Sequence, residues 1–262
     1  MKKLGFIGMG NMAQALCSGF ISSGKIKKED VFAYAPTYEK LCANADKYGF
    51  NPCINLLEMV DSCDTLVMAC KPYQIESVLG EIKDSLKGKA LVSVAAGWDY
   101  DKYMNYLDES TRLQFVMPNT PAMVSEGVLL FEDKNSLLKE ERDEIIDLFK
   151  ATGKVVELSS NLMGIGGAVS GCGPAFVDLF LEAYADVAVK YGIQRKTAYE
   201  LISQTVLGAA KLQLETGEHP GVLKDNVCSP AGTTICGVEA LEKAGFRNAC
   251  MESINAIMNK KK

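Results

Sequence analysis

Two groups of residues in this chain have the types and spacing to hold anions. The first is Gly8-Met9-Gly10-Asn11-Met12-Ala13, directly after a short apolar run and directly before an amphipathic helical pattern. In such a G-x-G-x-x-A turn, Gly8 permits the tight bend, Gly10 lets a pyrophosphate approach the backbone, and Ala13 lets helix pack close on strand. Asn11 and Met12 fall in the first turn of the helix, whose N–H groups and dipole favour phosphate. The second group lies in segment 219–234, read as a loop carrying two prolines, two glycines and three hydroxyl residues ahead of an Ala/Leu/Glu-rich helical run. Its end, Ser229-Pro230-Ala231-Gly232-Thr233-Thr234, places hydroxyls and backbone N–H groups at a helix start, which suits a small carboxylate.

Further polar or glycine-containing turns follow other apolar runs. At the end of the second run, Ala35-Pro36-Thr37-Tyr38 has no acid before Glu39. An NAD site carries Asp or Glu there for the ribose 2′-hydroxyl, and a carboxylate would repel a 2′-phosphate, so the pattern leans toward NADPH with NADH as the alternative. Ala69-Cys70-Lys71-Pro72 and Ala95-Ala96-Gly97 close two more runs, at the strand ends where open α/β sheets bind ligands. Lys71 reads as a surface lysine before a proline-enforced turn rather than as a base. In Met117-Pro118-Asn119-Thr120-Pro121-Ala122 two prolines fix the backbone and leave Asn119 and Thr120 as polar groups expected to face a cleft.

The elements that must position these turns alternate. Strands are expected at 3–7, 31–34, 65–69, 91–94, 113–116, 128–131 and 155–158, with helices at 11–22 and 137–150 among them. Short apolar strands alternating with helices imply a mostly parallel, doubly wound α/β sheet. After about Ser160 the period-two pattern stops and helices are expected at 174–191, 196–216, 234–244 and 248–259. The division is therefore a dinucleotide-binding domain over 1–160 and a helical domain over 161–262. In the helix 174–191 the polar residues Asp178, Glu182, Asp186 and Lys190 form one i,i+4 stripe, and most of the remaining circumference is apolar. Such a helix must be buried on several sides, which calls for a partner subunit.

Charge and composition bound the rest. The net charge of −5 gives no general pull toward nucleic acid or an anionic membrane. Nine cysteines with no CxxC pair fit reduced, core-filling thiols. With the single histidine, His219, no metal site is expected; that residue reads as part of a turn rather than as a proton donor. No apolar stretch is expected to reach the ~18 residues that span a bilayer. With strand 3–7 starting almost at once, no signal peptide is expected, and the expected address is the cytoplasm.

Segment 219–234, with Gly237-Val238-Glu239-Ala240-Leu241-Glu242 and Gly245-Phe246-Arg247 beyond it, closely resembles the signature of pyrroline-5-carboxylate reductases. Met117–Ala122 matches as well, and Ser170-Gly171-Cys172-Gly173-Pro174-Ala175 resembles the family's Ser-Gly-Ser-Gly-Pro-Ala, so the resemblance covers essentially the whole chain. Two departures are Cys172 in place of a serine and Ala231 where the family usually has glycine. The resemblance implies a Rossmann domain followed by an all-α dimerisation domain that interlocks with a second subunit, with decamers reached by further assembly. It implies hydride transfer from NAD(P)H to the C=N carbon of 1-pyrroline-5-carboxylate, giving L-proline. On this reading Ser229 and the N–H groups of Gly232 and Thr233 hold the substrate carboxylate, and the Thr234 hydroxyl, the catalytic group, contacts the ring nitrogen. With the helices interlocked, this loop would serve a nicotinamide bound by the other chain. Asn119 lies by both substrate and cofactor. Ala69 to Pro72 and Ala95 to Gly97 run along the ribose and nicotinamide through backbone contacts.

The residue inventory suits that reaction. A protonated cyclic imine already carries the charge that makes its carbon electrophilic, so positioning carries the catalysis and no acid–base pair is required. Dehydrogenases of β-hydroxy acids place a lysine on the first long helix after the Rossmann domain, and Gly164 to Phe176 contains none. A non-catalytic nucleotide sensor would have no use for the hydroxyl-rich turn. Other cyclic imines differ only in ring size, which pocket shape decides.

Overall fold

The computed structural model describes residues 2–260. By contacts the chain divides into two compact units, Met1–Cys172 and Gly173–Lys262.

The first unit is built on an eight-stranded sheet. Its strands are β1 (Leu4–Ile7), β2 (Val31–Tyr34), β3 (Asn51–Cys53), β4 (Thr65–Met68), β5 (Ala90–Ser93), β6 (Arg112–Pro118), β7 (Gly127–Asn135) and β8 (Gly153–Leu158), and they lie in the order β3-β2-β1-β4-β5-β6-β7-β8. All neighbours are parallel except β6 and β7, whose antiparallel register runs from Gln114 opposite Asn135 to Pro118 opposite Leu129. That pair can be antiparallel because only the short turn Thr120–Val124 joins them, too few residues for a crossover. The central strands β1, β4 and β5 are buried along their whole length, as expected of strands covered on both faces. The edge strand β3 is short, half-buried and contains Pro52, which edge positions tolerate; it carries no apolar run and the sequence reading passes over it.

Helices α1 (Asn11–Ser22), α2 (Tyr38–Tyr48), α3 (Leu56–Ser62), α4 (Ile75–Ile82), α5 (Tyr100–Met104), α6 (Lys139–Phe149) and α7 (Met163–Gly171) complete this unit. Period-two alternation sends Phe6 into the core under α1 and α6, and Ile7 into the core under α3 and α4. On the first face Phe20, Phe131 and Phe149 are buried, and Phe149 meets the other two edge-on at centroid distances of 5.0 and 5.4 Å. Helix α7 lies close on the sheet because its inner residues are glycines. A Cβ at Gly166 would stand 2.5 Å from Leu158, and one at Gly167 would stand 2.3 Å from the Met117 sulfur.

The second unit consists of α8 (Gly173–Lys190), α9 (Arg195–Thr216), α10 (Pro220–Val227), α11 (Thr233–Lys243) and α12 (Phe246–Met258). Pro174 sits in the first turn of α8, where its missing N–H costs nothing, and α9 closes on Gly217 at φ +68°. An ion pair of 2.6 Å between Arg195 and Asp186 ties α9 to α8. Among its described residues, Ala185 and Ala198 are the only buried ones. Leu179, Val187, Leu207 and Leu214 are each more than half exposed.

Two expectations need correction. Helical structure over Ser160–Lys190 holds an 18-residue window with a mean hydropathy of 1.4, long and apolar enough by length and composition alone to cross a membrane. The expectation that no apolar stretch reaches that length fails there, because Cys172 alone separates α7 from α8. The thiols are also not all core-filling. Cys17 and Cys63 are buried, whereas Cys172, Cys236 and Cys250 are exposed; all nine are free.

Candidate functional site

In the first unit, the turns that follow β1, β2 and β4 enclose a cleft of about 390 Å³. Gly8 is at φ +96°, a conformation that L side chains rarely adopt, and a Cβ there would stand 2.7 Å from the Cys70 nitrogen. Glycine therefore lets the β1 and β4 turns touch. The Gly8 N–H donates to the Tyr34 carbonyl (2.8 Å), which ties in the β2 end as well. Gly10 is different: nothing lies within 4 Å of a Cβ built there. It caps α1 without a side-chain hydrogen bond, and no acid occupies the first turn of that helix. The N–H groups of the first turn, where Asn11 and Met12 sit, consequently stand open for an anion.

Ala35 and Pro36 form one wall of the cleft and Ala69, Cys70 and Lys71 another. Burial pushes the Cys70 thiol up to about 11, so it is a neutral wall group and not a nucleophile. Pro72 opens a short 3-10 turn whose carbonyl accepts from the Trp98 indole N–H (3.2 Å). Ala95, Ala96 and Gly97 follow β5 outside these walls, with Gly97 at φ +78°. None of the residues lining the cleft is Asp or Glu. Open space above Gly10, uncapped N–H groups and an acid-free wall fit a dinucleotide phosphate donor set.

Asn119 does not face a cleft as expected. Its side chain is buried, with Nδ2 donating to the Ser170 carbonyl (2.9 Å) and Oδ1 accepting from the Val128 N–H (2.8 Å). Both polar atoms of the amide are therefore spent on backbone, and the residue fastens the end of α7 to the start of β7. The neighbouring Thr120 is exposed and opens the turn between β6 and β7.

In the second unit, segment 219–234 is not one loop. Residues Pro220–Val227 form α10, with proline at its first position and His219 as the cap, its Nδ1 accepting from the Gly221 N–H (3.0 Å). Proline and glycine punctuate turns but also open helices, and here Pro220-Gly221 opens one. The turn proper is 228–232. Ala231 takes φ +59°, a left-handed conformation that glycine adopts without cost, which explains why the family's glycine suits this position. A Cβ at Gly232 would lie 2.4 Å from the Ser229 hydroxyl oxygen, so Ser229 stands directly against the glycine. The Gly232 N–H donates to the Ser229 carbonyl (3.0 Å), closing the turn. It is therefore not the free donor expected, and the open donors are the first-turn N–H groups of Thr233 and Thr234. Helix α11 has no side-chain cap and no acid in its first turn, and Ser229, Thr233 and Thr234 are all exposed. The arrangement is an open anion receptor bordered by three hydroxyls.

The comparisons with known proteins agree with both halves. Residues 160–262 match the family described as pyrroline-5-carboxylate reductase dimerisation, and residues 3–97 match NADP oxidoreductase, coenzyme F420-dependent. Helices α8 and α9, with their exposed leucines and valines, lie within the first match, whose dimerisation description supports oligomer formation. The chain is 39% identical over 260 residues to the pyrroline-5-carboxylate reductase of Escherichia coli, covering 99% of this chain and 97% of the relative. It is 42% identical over 257 residues to that of Methanosarcina acetivorans, covering 97% and 94%. The crystal structure of Plasmodium falciparum pyrroline carboxylate reductase with NADP bound superposes at a TM-score of 0.88 with 34% identity, covering 98% of this chain and 96% of that one. With relatives this similar along nearly its entire length, the chain belongs to the pyrroline-5-carboxylate reductase family.

Proposed function

We propose that this chain reduces 1-pyrroline-5-carboxylate to L-proline with NADPH, completing proline biosynthesis, and that NADH serves as a weaker donor. The observation that carries the reading is the pair of uncapped, acid-free helix starts, α1 and α11, each preceded by a glycine-shaped turn. Gly8, Gly10 and the first turn of α1 hold the pyrophosphate, the wall at Ala35 to Pro36 flanks the ribose, and the segments Ala69 to Pro72 and Ala95 to Gly97 run along the ribose and nicotinamide. Bound there, the reduced nicotinamide supplies the hydride. Ser229 and the N–H groups of Thr233 and Thr234 hold the substrate carboxylate, and Gly232 leaves them room. The Thr234 hydroxyl contacts the ring nitrogen and fixes which face of the C=N bond is presented. Orientation of two bound partners supplies several kcal/mol, and the imine's own positive charge removes the need for a strong acid.

The apolar faces of α8 and α9 pair two chains into a homodimer, and further assembly gives the decamer. This pairing, not a bilayer or a nucleic acid, covers the apolar run 160–190 in an enzyme of the cytoplasm. The test follows NADPH absorbance on adding 1-pyrroline-5-carboxylate, with L-proline identified as product and the six-membered imino acid as a comparison. Thr234→Ala is expected to lower kcat about 100-fold while the Kd for NADPH stays unchanged. Unchanged kinetics would remove Thr234 from the mechanism, and absence of NADPH oxidation would overturn the reading.

A further inference from the structure

The chain's one tryptophan, Trp98, joins the turn after β5 to the turn after β4. It is 4% exposed, although Ala96 and Gly97 before it and Pro72 opposite it are exposed. Its indole N–H donates to the Pro72 carbonyl (3.2 Å). Its backbone N–H donates to the Ala95 carbonyl (3.3 Å), closing the turn in which Gly97 takes φ +78°. The ring is held from several directions. Tyr103 and Tyr106 stand at centroid distances of 5.0 and 5.4 Å, and the Lys102 ammonium lies 4.2 Å over the ring. That ammonium also donates to the Gly97 carbonyl (3.4 Å). A second tie between the same two segments runs from the Tyr106 hydroxyl to the Glu76 carboxylate in the first turn of α4. The start of α5 is fixed in turn, because the Tyr100 N–H donates to the buried Glu132 carboxylate of β7 (3.0 Å). Any apolar side chain would fill this part of the core beside Ile75 and Leu79. An indole adds one directed donor, and here it points at the backbone of an exposed turn.

We propose that Trp98 is a positioning residue for hydride transfer, whose indole N–H latches the turns 69–72 and 95–97 at a fixed separation. The inference rests on the nucleotide reading of the cleft, in which those two turns run along the ribose and nicotinamide. Trp98 acts through the backbone of Pro72 and of its own turn, not by contact with the reactants. Loops on a sheet's rim are the mobile part of such a fold, and a shift of ~1 Å in a bound reactant costs up to ~100-fold in rate. A rigid ring anchored in the core and bonded across both turns removes that freedom.

The experiment compares the parent oligomer with Trp98→Phe and with protein whose single tryptophan is replaced biosynthetically by 3-benzothienylalanine, an isostere without the N–H. Dissociation constants are measured for NADPH and for ADP, which lacks the nicotinamide half, alongside kcat and the KM for the imine. In both variants NADPH affinity is expected to fall about 5-fold and kcat about 10-fold, with ADP affinity and the imine KM unchanged. In the parent, excitation of Trp98 is expected to sensitise the emission of bound NADPH. If Trp98→Phe fails to fold, the isostere, which keeps the volume of the ring, decides. Unchanged NADPH affinity and kcat in the isostere would overturn the proposal alone. Equal losses for NADPH and ADP, the mark of a purely structural role, would do the same, as would no sensitised emission at saturating NADPH. A parent that binds neither nucleotide would overturn the nucleotide reading itself. Selective losses of NADPH affinity without any imine reduction would sink the proposed reaction and leave the latch standing.

Discussion

The two units solve the problem of burial in opposite ways. In the first, β1, β4 and β5 are buried over their full length and aromatic rings such as Phe6, Phe20 and Phe149 fill the space beneath the helices. In the second, five helices bury only Ala185 and Ala198 among the described residues, while leucines and valines on α8 and α9 remain exposed. A helical unit with so little interior of its own cannot offset the chain entropy of folding, so its order depends on association. The cleft behind β1, β2 and β4 sits on the self-sufficient unit, and the turn 228–232 sits on the unit that matches a dimerisation family.

Three substitutions sharpen or break this contrast. Phe149→Ala is expected to have the largest effect, about 3–5 kcal/mol lost from the first unit, because it removes a fully buried ring and leaves a cavity between Phe20 and Phe131. Chemical denaturation would register the loss, and a change below about 1 kcal/mol would show that the sheet's core is looser than its burial implies. Leu179→Asp comes next. That side chain is 66% exposed within the chain, so a lone subunit should tolerate the change, whereas a buried, unpaired carboxylate in a contact costs about 2–3 kcal/mol per subunit. Sedimentation is expected to show smaller species whose second unit is protease-sensitive while nucleotide binding persists. An intact oligomer would place the contact on another face. Ala231→Gly is the smallest, expected to stabilise by about 1 kcal/mol at most, since it relieves a left-handed alanine. A drop in thermal midpoint would mean that the methyl group packs in the assembled state.

Much of the fold was legible in the residues. The runs at 31–34, 65–69 and 91–94 became strands within a residue or so of their expected limits, and the glycine turn fell where β1 meets α1. Helices α2, α3, α4, α5, α7 and α10 lie outside the runs read from the residues. All but α2 are nine residues or shorter, and α10 opens on a Pro-Gly pair that reads equally well as a turn. Strand β3 was invisible for a similar reason, since its pairing with β2 lies in backbone hydrogen bonds and not in apolar side chains.

The anion turns themselves are local objects. Glycine at 8, 10 and 232 and hydroxyls at 229, 233 and 234 owe their behaviour to backbone freedom and to the donors at a helix start, so sequence alone determined them. What only the tertiary structure decided was where longer-range contacts send a side chain. Asn119, expected toward a ligand, is turned inward because the Val128 N–H and the Ser170 carbonyl, both distant in the chain, require a buried partner.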